Sequence, residues 1–176
     1  QMQGRCPSFV TQLTYICICF IMVLHVKSRM QKGNVSMSEN VNVCEYIESN
    51  GVHVEADCFD LEQIMESGQC FRIYKLSLQE QEKLCKSKGL ENCESMAWYR
   101  VMAADKKVFV CQNGVHLIFF CSKEEYKQFW CHYFDLDFDY RSYEKAIDAD
   151  DNYLKSAFAY GKGIRILNQD PWEMLI

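Results

Sequence analysis

An α+β fold, with helices packed on an antiparallel sheet, is predicted by three features of the sequence. Lys107 to Gln112 and Val115 to Cys121 are strand-like runs that flank Asn113-Gly114. That dipeptide is the strongest short hairpin signal, because both turn positions need positive φ. Met96 to Met102, carrying Trp98, Tyr99 and Val101, is a third strand of the same kind. Tyr126, Phe129, Trp130 and Tyr133 then recur at helical spacing, a stripe read as core against the sheet rather than as a platform for stacked bases.

The remaining elements follow from local chemistry. Residues 1–36 stand apart as an atypical leader. Phe9 to Val26 is an 18-residue apolar run interrupted by Thr11, Gln12, Thr14 and His25, near the lower limit for a membrane span. No small-x-small cleavage site follows it, as a signal peptide would need. Two readings stay open: a membrane anchor, or translated upstream sequence with Met37 as the true start. From there the domain is expected to occupy residues 37–165.

Cys44 to Ile47 and Val52 to Ala56 read as strands around the turn Ser49-Asn50-Gly51. Asp60 caps a short helix with Leu61, Ile64 and Met65 on one face and Gln63 placed for a capping box; Gly68 allows a left-handed exit. Cys70 to Leu76 is another strand, and the polar stretch Ser77 to Ser95 reads as an excursion between strands, with room for one or two exposed helical turns. Ser122 with Glu125 opens the aromatic helix. Acids run through Asp135–Asp139, as expected of a solvated loop, without calcium-loop spacing. A helix from about Tyr140 to Ile147 precedes another capped by Asp150 or Asp151, with Tyr153, Leu154, Ala157 and Phe158 facing inward and Gly161 at its end. Asp170, Pro171 and Glu173 form a helix start, and Met174-Leu175-Ile176 follow as an apolar run. Residues 166–176 are therefore expected to open a further helical part, of which this chain is a fragment.

Composition narrows the function classes. With 49% apolar residues a packed core is affordable and global disorder is excluded. The net charge of −5 hides four basic groups and no acid in residues 1–36, so the remaining 140 residues carry −9. On charge alone that body is a poor binder of phosphates. The eleven cysteines are dispersed, and with four histidines they form no metal-ligand spacing. Reduced thiols, no metal and no cofactor are expected, in an intracellular protein of a bacterial cytoplasm or nucleoid.

Two stretches carry a resemblance. Ser67-Gly68-Gln69-Cys70-Phe71-Arg72 resembles a segment near the start of the 8-oxoguanine DNA glycosylases. Gly163-Ile164-Arg165-Ile166-Leu167-Asn168-Gln169-Asp170-Pro171-Trp172-Glu173 resembles the entry into that family's helical, catalytic part. The resemblance runs from about Glu45 to Ile176. It implies a twisted antiparallel sheet with packed helices, similar to a TATA-binding-protein repeat. It implies base-excision repair of double-stranded DNA containing 8-oxoguanine, by a glycosylase that is also an AP lyase and flips the lesion out of the stack.

The residue corresponding to Gly68 presents its backbone carbonyl to N7 of the base. N7 carries a hydrogen in 8-oxoguanine and a lone pair in guanine, a difference of about 1–3 kcal/mol, roughly tenfold to hundredfold in selectivity. Arg72 supports this loop, pairs with an acid or meets a phosphate; Gln69 supports it too, and Phe71 is expected in the core. Arg165 and Gln169 are read as domain-junction residues and Asp170 as an N-cap. The family's lysine nucleophile and assisting aspartate lie beyond a helix-hairpin-helix motif, past Ile176, in the helical domain this chain lacks. Lys155 and Lys162 lack that context and do not inherit the role. No catalytic residue is expected here, and the chain alone should be inactive. The alternatives are a non-enzymatic interaction module and a membrane-anchored binding domain.

Overall fold

The computed structural model describes residues 44–48, 51–90 and 96–173. The apolar run of the leader and the run at 174–176 lie outside the described residues. Among those described, no helix is long and apolar enough to cross a membrane.

Six strands, β1 (Cys44–Glu48), β2 (Gly51–Glu55), β3 (Ile73–Lys75), β4 (Ala97–Ala103), β5 (Lys106–Asn113) and β6 (His116–Phe119), form one sheet. Its order is β1-β2-β6-β5-β4-β3, and every neighbouring pair is antiparallel. The helices are α1 (Leu61–Glu66) and α2 (Leu78–Lys88), followed by α3, α4 (Arg141–Ala146) and α5 (Asn152–Tyr160). Helix α3 is three consecutive segments: α-helical Lys123–Glu125, a π-helical turn Tyr126–Trp130, and α-helical Cys131–Tyr133.

Strand alternation sorts side chains to two faces. Val52, Val54, Tyr99, Val101, Val110 and Phe119 join Leu61 and Ile64 of α1 and the aromatics of α3 in the main core. Trp98, Cys111 and Ile118 point the other way and pack with Leu76 and with Cys85 of α2. The aromatic stripe is core as expected: Tyr126, Trp130 and Tyr133 are buried, and Phe119, Tyr126, Trp130, Tyr133 and Phe134 meet ring to ring. Trp130 satisfies its indole N–H by donating to Glu125 Oε1 at 2.7 Å, so Glu125 does not close the expected capping box.

Four local expectations are corrected. Asn113 and His116 pair, so the hairpin loop is Gly114-Val115, one residue later than expected. Only Gly114, at φ 59°, is left-handed there, the φ pattern of a type II′ rather than a type I′ turn. The stretch after Ser77 is an 11-residue helix, not an irregular excursion. Ser77 and Glu80 make a full capping box and Gly89 a left-handed exit at φ 65°, while Cys85 is its only buried residue. Caps and the second sheet face hold α2, which explains why its apolar periodicity is faint. The strand expected from Cys70 is only Ile73–Lys75. Tyr153, expected inward, is 54% exposed.

Cysteine chemistry needs a fifth correction. Cys85 is disulfide-bonded, whereas reduced thiols were expected throughout. Sequence spacing carries no sign of it, because pairing is decided by proximity in the fold. Cys58, Cys70, Cys111, Cys121 and Cys131 are reduced. Burial pushes Cys111 and Cys121 up to about 12, so both stay neutral and behave as small apolar groups.

The chain divides into two compact units, and Tyr140–Lys162, with α4 and α5, belongs to a different one from the sheet. In that unit Asp151 caps α5 by accepting from Leu154 N at 2.8 Å, and Tyr140 and Tyr143 meet edge to face. Residues Gly163 onward belong with the sheet.

Candidate functional site

The site is built where α1 ends. Asp60 accepts from the backbone N–H groups of Glu62 and Gln63 at 2.9 and 3.1 Å, which starts the helix. Ser67 ends it by donating its hydroxyl to Ile64 O at 2.6 Å. Gly68 follows at φ 75°, a left-handed turn that disfavours any side chain. It is exposed, and a Cβ placed there would meet nothing within 4 Å. Glycine is therefore required by backbone conformation, and the space in front of the turn is open.

A second segment, Gly163 to Gln169, runs alongside and locks the turn. Gln69 is the hub. Its Nε2 donates to Ser67 Oγ at 3.0 Å and to Arg165 O at 2.9 Å, and its Oε1 accepts from Leu167 N at 3.0 Å. Gln169 returns the contact, donating Nε2 to Gln69 O at 2.7 Å. Two glutamine amides thus hold Gln69 and the Gln69–Cys70 peptide, while the Gly68–Gln69 peptide donates its N–H to Ser67 Oγ at 3.4 Å. On the far side of the segment, Asn168 donates its backbone N–H to Tyr133 O and its side chain to His132 O, tying it to α3.

Gly163 makes the closest approach. Its carbonyl accepts from Asp60 N at 2.9 Å, and its N–H donates to Gln63 Oε1 at 3.2 Å. Gln63 is thereby drawn away from the capping box expected of it. A Cβ on Gly163 would lie 2.4 Å from Asp60 Cβ. Gly163→Ala should therefore displace the cap of α1 and cost about 1–3 kcal/mol, read as a lower urea midpoint at unchanged slope.

Arg165 is 3% exposed and donates to four backbone carbonyls. Nε reaches Cys58 O at 3.2 Å, Nη2 reaches Asp57 O at 2.8 Å, and Nη1 reaches Asp135 O and Phe138 O at 2.6 and 3.1 Å. Cys58 and Asp135 are both left-handed without being glycine, at φ 53° each. One guanidinium therefore holds two strained turns in place.

Arg72 pairs with Glu173 at 3.2 Å, one of the alternatives open from sequence. Glu173 also accepts from the backbone N–H of Ala104, another left-handed residue at φ 50°. Asp170 accepts from Trp172 N at 2.9 Å, within a turn at residues 171–173. Phe71 is corrected: expected in the core, it is 83% exposed, because it lies ahead of β3 and escapes that strand's pleat. Trp172 is 74% exposed. Cys70 Sγ accepts from Arg72 N at 3.3 Å and from the Tyr133 hydroxyl at 3.5 Å. Burial, and then that bond to Cys70, push the Tyr133 hydroxyl far above its usual range, so it is a permanent neutral donor.

Gln69, Arg165 and Gln169 are thus brought to one loop. Sequence reasoning missed Gln63, Tyr133 and Asn168 as its supports, because each acts across the fold. It missed Gln112 too, whose side chain accepts from Leu61 N at 2.9 Å and donates to Phe59 O at 2.8 Å. Among the described residues, no group of three or more His, Cys, Asp or Glu could hold a metal ion.

A family profile described as 8-oxoguanine DNA glycosylase, N-terminal domain, matches residues 52–175. A solved structure of MBOgg1 with a low-affinity DNA ligand is 30% identical, over 74% of this chain, at a TM-score of 0.58. The Clostridium acetobutylicum 8-oxoguanine glycosylase/lyase in its apo-form is 33% identical, over 76% of this chain, at a TM-score of 0.56. The same enzyme with double-stranded DNA containing cytosine opposite 8-oxoguanine is 32% identical, over 74% of this chain, at 0.55. This chain covers 39%, 40% and 38% of the chains in those three structures respectively. A comparison with curated protein sequences gave no match. The chain belongs to the 8-oxoguanine DNA glycosylase family, whose N-terminal domain it carries in residues 52–175.

Proposed function

We propose that this chain is the N-terminal part of a DNA glycosylase/AP lyase that removes flipped-out 8-oxoguanine from double-stranded DNA. The observation that carries this is the exposed left-handed turn at Gly68, whose following N–H is held by Ser67 Oγ and whose next residue, Gln69, is anchored to Arg165, Leu167 and Gln169. A carbonyl fixed before the ligand arrives gains a bond from a protonated N7 and opposes a lone pair. Preorganisation matters because a mobile carbonyl would turn away from guanine and lose its discrimination.

The domain is proposed to occupy residues 37–165, with residues 166–176 leading into a helical domain that supplies the nucleophile and the basic phosphate-binding surface. That division answers the acidic charge of the body. Residues 1–36 are proposed to be a leader outside this chemistry. Three of the described lysines are engaged in other ways: Lys75 and Lys162 are in exposed ion pairs with Glu62 and Glu144, and Lys155 donates to Ala149 O. A nucleophilic lysine instead needs a desolvating site that lowers its pKa. The reaction implies a DNA-associated location inside the cell, for which the bacterial nucleoid is our reading.

Borohydride trapping tests the proposal. The protein extended through the helical domain should form a covalent adduct with 8-oxoguanine DNA, and residues 1–176 alone should form none. An adduct with the short chain would place the nucleophile within it, against the proposal; no adduct with the extended protein would refute the lyase.

A further inference from the structure

On the face of the sheet opposite α1, a cavity of about 310 Å³ opens between α2 and strands β4 and β5. Its apolar walls are Leu76, Leu84 and Phe109, and its polar wall includes Lys83, Arg100 and Glu80. That volume lies at the small end of the range for ligand pockets.

The cations there are in unequal company. The single acid in the wall, Glu80, is occupied by its own helix: Oε2 accepts from the backbone N–H and the hydroxyl of Ser77, at 3.0 and 2.7 Å. Arg100 stacks its guanidinium on the Tyr74 ring at 5.1 Å, and its Nε, shielded from solvent, has no hydrogen-bond partner. Shielded donors without acceptors are rare and costly, and one in the cavity wall, beside the second cation Lys83, marks a place where an acceptor belongs.

We propose that this pocket binds a small anion with an apolar body, whose head group meets Arg100 and Lys83 while its body lies against Leu76, Leu84 and Phe109. An oxyanion supplies the acceptor that the guanidinium lacks, and Arg suits carboxylate and phosphate heads alike. The site is independent of the repair reading, since the Gly68 turn follows α1, which packs on the other face of the sheet.

The test is an NMR titration of the full chain with octanoate, with phenyl phosphate and with neutral 1-octanol, following the methyl groups of Leu76 and Leu84. Saturable shifts are expected with at least one anion, and the arm that saturates identifies the head group as carboxylate or phosphate. Arg100→Gln should weaken binding at least tenfold. Lys83→Gln, at an exposed helix position, should weaken it severalfold without disturbing the fold. Glu80→Gln, which keeps the cap but removes the competing charge, should tighten it. Non-saturating shifts with both anions would overturn the proposal. So would octanol binding as tightly as octanoate, or wild-type affinity in Lys83→Gln together with Arg100→Gln.

Discussion

Arg165→Met is expected to destabilise the sheet domain by about 3–5 kcal/mol. The apolar side chain keeps the volume but leaves four carbonyls, those of Asp57, Cys58, Asp135 and Phe138, without their shared donor. Two of these belong to left-handed residues that depend on outside restraint, so lost hydrogen bonds and released strain act together. Thermal unfolding should fall by about 10 °C or more. Arg165→Lys should recover less than half the loss. An ammonium keeps the charge but has three donors at one point, where these carbonyls require a planar fork. Lys restoring full stability would show that charge, not fork geometry, is what the site needs.

Gln69→Leu is expected to separate stability from selectivity. The substitution breaks the bonds to Ser67 Oγ, Arg165 O and Leu167 N, at a cost of about 1–3 kcal/mol in unfolding. Its larger effect should appear in the protein extended through the helical domain. There, on the function proposed above, the turn at Gly68, no longer followed by an anchored Gln69, should lose roughly tenfold to hundredfold in preference for 8-oxoguanine over guanine under single-turnover conditions. Gln69→Glu separates the two effects further: one carboxylate oxygen still accepts from Leu167 N, while the other faces Arg165 O and repels it. It should retain most of the stability and little of the selectivity. A variant equally stable and equally selective would remove Gln69 from any positioning role.

The contrast between α2 and α3 shows where sequence is informative. The aromatic spacing of α3 was legible because its whole inward stripe is large and apolar. It did not reveal the π-helical turn at Tyr126–Trp130. Helix α2 was missed although Ser77 and Glu80 carried its cap in plain view, because it buries a single cysteine and offers almost no periodicity. The hairpin was right in existence and off by one residue in register, because cross-strand pairing of Asn113 with His116 overrode the intrinsic preference of Asn-Gly.

The candidate site divides in the same way. The left-handed turn at Gly68, the cap at Asp60, the turn bond of Asp170 and the family motif around them are matters of neighbouring residues, and the amino-acid order determined them. That Gln69 meets Arg165 and Leu167, that Gln169 closes on Gln69, and that Phe71 stands in solvent were decided by the tertiary structure alone. Local conformation depends on a residue and its few neighbours, whereas these bonds join groups about a hundred positions apart. No periodicity can encode a partner that only chain folding brings within reach.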